Sequence, residues 1–125
     1  MEFVDENLHS LTQEYILSPE IEKNKIIKKL NPLMDNDELV KIIEKNNADM
    51  QTMINDNSDI LIGNSNVLSD NKVFLDLFYE NIVLYCLANY RKTSVGGISF
   101  MRAVATIIGY NIEKTVLDEN KLTKR

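Results

Sequence analysis

The sequence predicts an all-α domain of six or seven helices around a buried central helical hairpin. Apolar residues recur at helical spacing, helix-capping residues separate the apolar stretches, and one long segment is apolar on nearly every side. Residues 1–118 are predicted to form this single helical domain, because 125 residues suit one core, and residues 119–125 a flexible polar tail.

Two helices are predicted before residue 33. The first carries an apolar stripe at spacings of i, i+4, i+7 and i+11 (Val4, Leu8, Leu11 and Tyr15). Ser18-Pro19 then predicts an N-cap followed by proline in the first turn of the second helix. Asn31-Pro32 is expected to end that helix, because a residue before proline is pushed out of the helical region.

A third helix is predicted to begin at Asp35, because Asp35-x-x-Glu38 has the capping-box spacing. Its apolar stripe runs from Leu39 to Ile54, either as one long helix or as two helices broken at Asn46-Asn47. A very short helix capped at Ser58-Asp59 and a loop over 63–66 are expected to follow.

The central helix of the prediction covers about Asp70 to Tyr90. Its apolar residues occupy most of the helical circumference, and its polar positions Lys72, Asp76 and Glu80 form one narrow stripe. A helix that is apolar nearly all round is expected to be wrapped by its neighbours. Twenty residues of helix span about 30 Å, the diameter of a small domain.

A second apolar helix over 98–108 is predicted to complete the central hairpin. Thr93 or Ser94 could cap it, and Gly96-Gly97 indicates close packing against a neighbour. Gly109 stands where a left-handed C-terminal residue is expected, and Asn111 is predicted to cap a last short helix reaching Leu117.

Composition limits the classes of function. A net charge of −5 has the wrong sign for a dedicated nucleic-acid or anionic-membrane binder. No apolar run approaches the roughly 20 residues of a membrane span, and residues 1–20 lack a basic signal-peptide region. The single cysteine, Cys86, excludes an internal disulfide and favours a reducing, intracellular setting.

Catalytic motifs are not evident in the sequence. His9 is the one histidine, and Cys86 lies in the most apolar segment, where a thiol behaves as a small hydrophobic group. With one of each, a zinc site of the usual ligand types cannot be built within one chain. Residues 55–66 resemble the start of a calcium loop but have Ile60 and Asn66 where Gly and Glu are required. The sequence therefore predicts no cofactor, no metal and no enzyme activity.

Two surfaces could bind a partner. Four lysines of the second helix (Lys23, Lys25, Lys28 and Lys29) form a basic face, for which a solvated helix surface is the favoured interpretation. Several apolar residues could line a groove between the third and the central helix (Met50, Met53, Ile54, Phe74 and Phe78, with Tyr79 beside them). The alternative, favoured for stripes of this kind, is that they fill the core.

Three stretches of the second half resemble the ending of a known family. They are Ile82-Val-Leu-Tyr-Cys-Leu-Ala-Asn-Tyr-Arg-Lys-Thr-Ser, Phe100-Met-Arg-Ala-Val-Ala and Tyr110-Asn-Ile. They are similar to the small poxvirus Bcl-2-like proteins that block host innate immune signalling or apoptosis. The chain length and a bias towards Asn, Lys and Ile, typical of AT-rich genomes, agree with this resemblance.

The resemblance implies a Bcl-2-like bundle and a non-enzymatic viral protein of the host cytoplasm that sequesters host signalling or pro-apoptotic proteins. Cellular members carry Asn-Trp-Gly-Arg where this chain has Ser69-Asp70-Asn71-Lys72, which favours a signalling inhibitor. The resemblance also implies a homodimer through the first and sixth helices (Leu8, Leu11, Tyr15, Met101 and Arg102). The alternative is a small acidic inhibitor or immunity-type protein of a phage or low-GC bacterium.

Overall fold

A computed structural model of the chain describes residues 2–57 and 66–112. These residues are 83% helical and contain no strand, which confirms the all-α prediction. The helices are α1 (Glu2–Leu17), α2 (Glu20–Leu30), α3 (Asn36–Asp56), α4 (Asn66–Ser69), α5 (Lys72–Arg91) and α6 (Ile98–Ile108), with a 3₁₀ turn at Asn31–Leu33 between α2 and α3. The predicted short helix after Ser58, the helix reaching Leu117 and the tail over 119–125 lie outside the described residues.

Helix α2 ends at Leu30, as Asn31-Pro32 predicted, but the conformation of Asn31 differs from the expected one. Asn31 keeps helical angles (φ −53°, ψ −42°) although it precedes proline, so the chain continues into the 3₁₀ turn. Arg91, at the end of α5, holds this turn by donating to the Asn31 side chain (2.7 Å), the Met34 carbonyl (2.6 Å) and the Asn31 carbonyl. These hydrogen bonds stabilise a local conformation that proline disfavours.

Both long helices begin at a side-chain cap. The Asp35 carboxylate accepts a hydrogen bond from the Glu38 amide at 2.9 Å, which confirms the predicted start of α3. The Asn71 side chain does the same for the Phe74 amide at 3.0 Å, so α5 begins at Lys72. Helix α3 continues without a break through Asn46-Asn47, which settles the two alternatives in favour of one helix.

The connection between α5 and α6 has a residue with a positive φ angle at each end. Helix α5 ends where Lys92 adopts φ 59°, and the N-cap of α6 is Gly97 at φ 87°, not Thr93 or Ser94. Gly109 closes α6 at φ 85°, as predicted. Glycine suits both positive-φ positions because it has no Cβ to clash.

Helix α5 is the centre of the core. Its buried residues face several directions, and α1, α2, α3 and α4 all pack against it. Helices α3 and α5 run antiparallel, because Arg91 at the end of α5 also donates to the Asn36 side chain at the start of α3. The described part of the chain contains no helix with both the length and the apolar character needed to cross a bilayer.

The second helix of the predicted hairpin, α6, is also part of the core. It buries Ile98, Met101, Val104 and Ala105. Its main backbone neighbour is α4, whereas α3 is the main neighbour of α5. The central buried helix is therefore confirmed, but α5 and α6 do not form a hairpin with close backbone contact along its length.

Candidate functional site

A hydrogen-bonded set of buried amides joins the middles of α3 and α5. The amide of Asn81, which is fully buried, donates to the Asn47 side chain at 2.8 Å and to the Ile43 carbonyl at 3.2 Å. Its oxygen accepts from the Asn46 amide at 3.0 Å. Each polar group of Asn81 is thus satisfied, which removes the penalty for burying it.

The same set extends to the segment before α6 through Tyr85. Its hydroxyl donates to the Gly96 carbonyl at 2.6 Å and accepts from the Asn47 amide at 3.3 Å. Burial raises the pKa of the Tyr85 hydroxyl, because the charged phenolate would lose its hydration. A Cβ at Gly97 would lie 2.7 Å from the Asn47 amide nitrogen and 2.9 Å from the Tyr85 hydroxyl, so this site requires glycine for space as well as for φ.

An open depression follows α3 on the side facing α1 and α5. It consists of two adjoining parts of about 510 and 430 Å³ that share Ile42 and Lys45. We call it the α3 trough; its lining residues are His9, Asp35, Asp37, Glu38, Lys41, Ile42, Lys45, Asn46, Asp76, Leu77 and Glu80. Volumes of this size are typical of binding sites.

The α3 trough is predominantly acidic. Among the described residues that line it, five are carboxylates and two are lysines, so their formal charge is −3 with His9 neutral. Lys45 pairs with Asp49, outside the lining, at 2.9 Å, and Asp76 pairs with the exposed Lys72 at 3.3 Å. Glu80 accepts a hydrogen bond from the Asn46 amide at 3.1 Å, which connects the trough to the buried amides.

The residues of the predicted partner groove lie mainly in the core. Met50, Phe74 and Phe78 are 0% exposed, while Met53 and Ile54 are half-buried and pack against the core. Phe78 makes edge-to-face contacts with Tyr79 and Tyr110, at centroid distances of 5.6 and 5.5 Å. These side chains fill the space between helices instead of lining an open groove, because each of the three largest has neighbours on all sides.

The predicted dimer face is also largely internal. Leu8, Tyr15 and Met101 are buried in the core, and Leu11 and Arg102 are half-buried. A dimer through this face would have to use the exposed parts of Leu11 and Arg102.

Three of the four lysines of α2 have partners within the chain. Lys25 pairs with Glu22, Lys29 pairs with Glu14 of α1, both at 3.5 Å, and Lys23 lies 4.9 Å from the centre of the Tyr15 ring. These contacts agree with a solvated helix surface, the interpretation favoured from the sequence.

The two residues weighed for catalysis do not meet. Cys86 is half-buried and lies 2.9 Å from the Tyr15 hydroxyl, whereas His9 lines the α3 trough. Within residues 2–57 and 66–112, no three His, Cys, Asp or Glu side chains are grouped so as to hold a metal ion.

The sequence analysis did not identify Asn47, Asn81 or Tyr85 as members of a site. One signal could have indicated them: Asn81 is an amide that lies outside the narrow polar stripe of the central helix, among its apolar positions. A buried amide requires partners, and Asn46-Asn47 in the facing helix supplies them.

No protein-family model, no curated protein and no solved structure matches this chain.

Proposed function

We propose that this chain is a non-enzymatic Bcl-2-like protein of a virus, which acts in the host cytoplasm by binding and sequestering a host signalling protein. The outcome would be inhibition of innate immune (NF-kappa-B type) signalling or of apoptosis. Its mechanism would be competitive: while the chain occupies the binding surface of the host protein, that protein cannot engage its normal partner.

One observation supports this proposal above the others. Helix α5 buries nine of its twenty residues, spread from Phe74 to Ala88, and α1, α2, α3 and α4 pack against it. A central apolar helix wrapped by amphipathic ones is the arrangement that the resemblance implies. Such a bundle offers a rigid surface on which a partner can dock with little rearrangement.

The α3 trough offers an open surface for docking among the described residues, whereas the predicted groove is occupied by the chain's own side chains. Its carboxylates also favour a second candidate function. A small acidic inhibitor or immunity-type protein of a phage or low-GC bacterium would use such a face against a basic target.

A capture experiment separates the two candidates. The tagged full chain is incubated with human cell lysate and, separately, with lysate of a low-GC bacterium, and bound proteins are identified by mass spectrometry. A tagged, unrelated helical protein of the same net charge is the control.

Specific recovery of innate signalling adaptors or pro-apoptotic proteins from the human lysate is the expected result. Recovery of a specific basic protein from the bacterial lysate, with no specific human partner, would overturn the proposal in favour of the alternative.

A further inference from the structure

We infer that the α3 trough binds a basic amphipathic helical segment of a protein partner. This inference deepens the proposed function and rests on it for the identity of the partner, but not for the chemistry of the segment. Apolar residues of the segment would contact Leu77 and the small exposed part of Ile42, and its lysines or arginines would face the carboxylates of the trough.

The dimensions of the trough suit a helix. It follows α3 from Asp35 to Lys45, ten residues, which corresponds to about 15 Å or three helical turns. Its apolar residues are the half-buried Leu77 and Ile42, of which only 7% is exposed. A segment of this length presents residues at i, i+3 or i+4 and i+7 along one side, which is how amphipathic helices dock in grooves.

The negative charge of the trough favours a positively charged partner. Carboxylates occupy both ends of the trough: Asp35, Asp37 and Glu38 at the start of α3, and Asp76 and Glu80 of α5. The whole chain carries −5, so the long-range field also attracts a basic segment.

The carboxylate of Glu80 is positioned before any partner arrives. Asn46 donates to it at 3.1 Å, and the same Asn46 amide is held by Asn81 at 3.0 Å. The buried amides thereby reduce the freedom that Glu80 would lose on binding a cation.

A second copy of the chain is a poorer occupant. Two of the four lysines on the basic face of α2 already pair with Glu22 and Glu14, and two copies of net charge −5 repel each other. A separate basic segment meets neither obstacle.

The test uses a fluorescent peptide of about 15 residues, with leucines at helical spacing and lysines and arginines on the flanks. Binding to the full chain is measured by fluorescence anisotropy. The control peptide has glutamate in place of each basic residue. We expect binding of the basic peptide only, weakening steeply as salt rises from about 0.05 to about 0.5 M.

Isosteric variants locate the site. Asp76→Asn with Glu80→Gln should weaken binding about tenfold, since two charge pairs are lost. Glu44→Gln with Asp56→Asn, exposed residues outside the trough, removes the same net charge and should leave binding within about twofold. Lys41→Glu should strengthen binding, a gain that damage to the fold would not produce.

The outcomes separate this inference from the proposed function. Equal loss in both double variants, or no binding of the basic peptide, would overturn the trough as the site. Host signalling proteins captured equally by the wild type and by the Asp76/Glu80 variant would also overturn it, while leaving the proposed function intact. Peptide binding that depends on the trough, without any host signalling partner, would support the inference and refute the proposed function.

Discussion

Two regions of α5 bury side chains by different means. Near its start, Phe74 and Phe78 are surrounded by apolar and aromatic side chains, with Tyr79 and Tyr110 completing an edge-to-face cluster. In its middle, Asn81 is equally buried but is held by three hydrogen-bonding groups of α3. Apolar packing is non-directional and contributes to the free energy of folding. The hydrogen bonds of the amides, in contrast, form in only one alignment of α3 against α5.

The comparison teaches what each region contributes. A slip of α3 along α5 would exchange one apolar contact for another in the first region. In the second region the slip would leave buried amides without partners, which costs about 1–3 kcal/mol of stability for each unsatisfied group. We therefore expect the aromatic region to determine how stable the bundle is, and the amides to determine its register.

The largest effect is expected from the aromatic region. Phe78→Ala should lower the free energy of unfolding by about 3–5 kcal/mol, because it removes a fully buried ring and leaves a cavity. The matched control is Val73→Ala on the same helix, which is 62% exposed and should change stability by less than about 0.5 kcal/mol. Denaturant unfolding followed by circular dichroism measures both. A loss below about 1 kcal/mol for Phe78→Ala would refute this picture of the core.

The next largest effect should come from the amides. Asn81→Ala should cost about 2–4 kcal/mol, since the groups on Asn46, Asn47 and Ile43 lose their partner in the interior. Asn24→Ala, on an exposed position of α2, is the control.

A double-mutant cycle between Asn81 and Asn46 tests whether the amides act as one unit. We expect the double alanine variant to lose less stability than the two single losses added together. Additive losses would mean that the two amides act independently.

Two glycines allow the cost of steric crowding by a Cβ to be separated from the cost of a left-handed backbone angle. Gly97 and Gly109 have nearly the same φ, 87° and 85°, but a Cβ meets atoms within 3 Å only at Gly97. Gly109→Ala should cost about 1 kcal/mol for the left-handed angle alone. Gly97→Ala should cost about 2–3 kcal/mol, because Asn47 or Tyr85 must also move. Equal losses would mean that the segment before α6 shifts freely.

The sequence predicted the fold to the extent that helices depend on local signals. Hydrophobic periodicity and the Asp35 cap correctly indicated α3, and the apolar circumference correctly indicated that α5 is central. The 3₁₀ turn at Asn31 was missed because Arg91, sixty residues later in the chain, stabilises it. A contact between two residues so far apart in the chain produces no periodic pattern in the sequence.

The site was less predictable than the fold. Periodicity assigned Phe74 and Met50 to an apolar face but could not say whether a partner or the chain itself covers that face. The α3 trough joins His9, Lys45 and Glu80, from three helices, and their proximity depends on the crossing of those helices. The buried amides were missed because Asn46-Asn47 also suits a helix break, and local propensity gives no weight to a partner such as Asn81.

The smallest change in stability is expected at the Tyr85 hydroxyl, which connects the amides to the segment before α6. Tyr85→Phe should cost about 1 kcal/mol at neutral pH, because the Gly96 carbonyl and the Asn47 amide lose their shared hydroxyl. Burial raises the pKa of Tyr85 above its ordinary value of 10.0, so above that pH the unfolded chain loses the phenolic proton while the folded chain retains it. This contribution is full below pH 10.0 and is lost as the pH rises through the raised pKa.

Tyr85→Phe has no such proton, so the stability advantage of the wild type should shrink as the pH rises beyond about 10. Thermal unfolding of both proteins across that range measures the difference, with changes from lysines and the other tyrosines common to both. A constant difference would mean that the Tyr85 hydroxyl is hydrated in the folded chain, and that the segment before α6 is not tied to the amides.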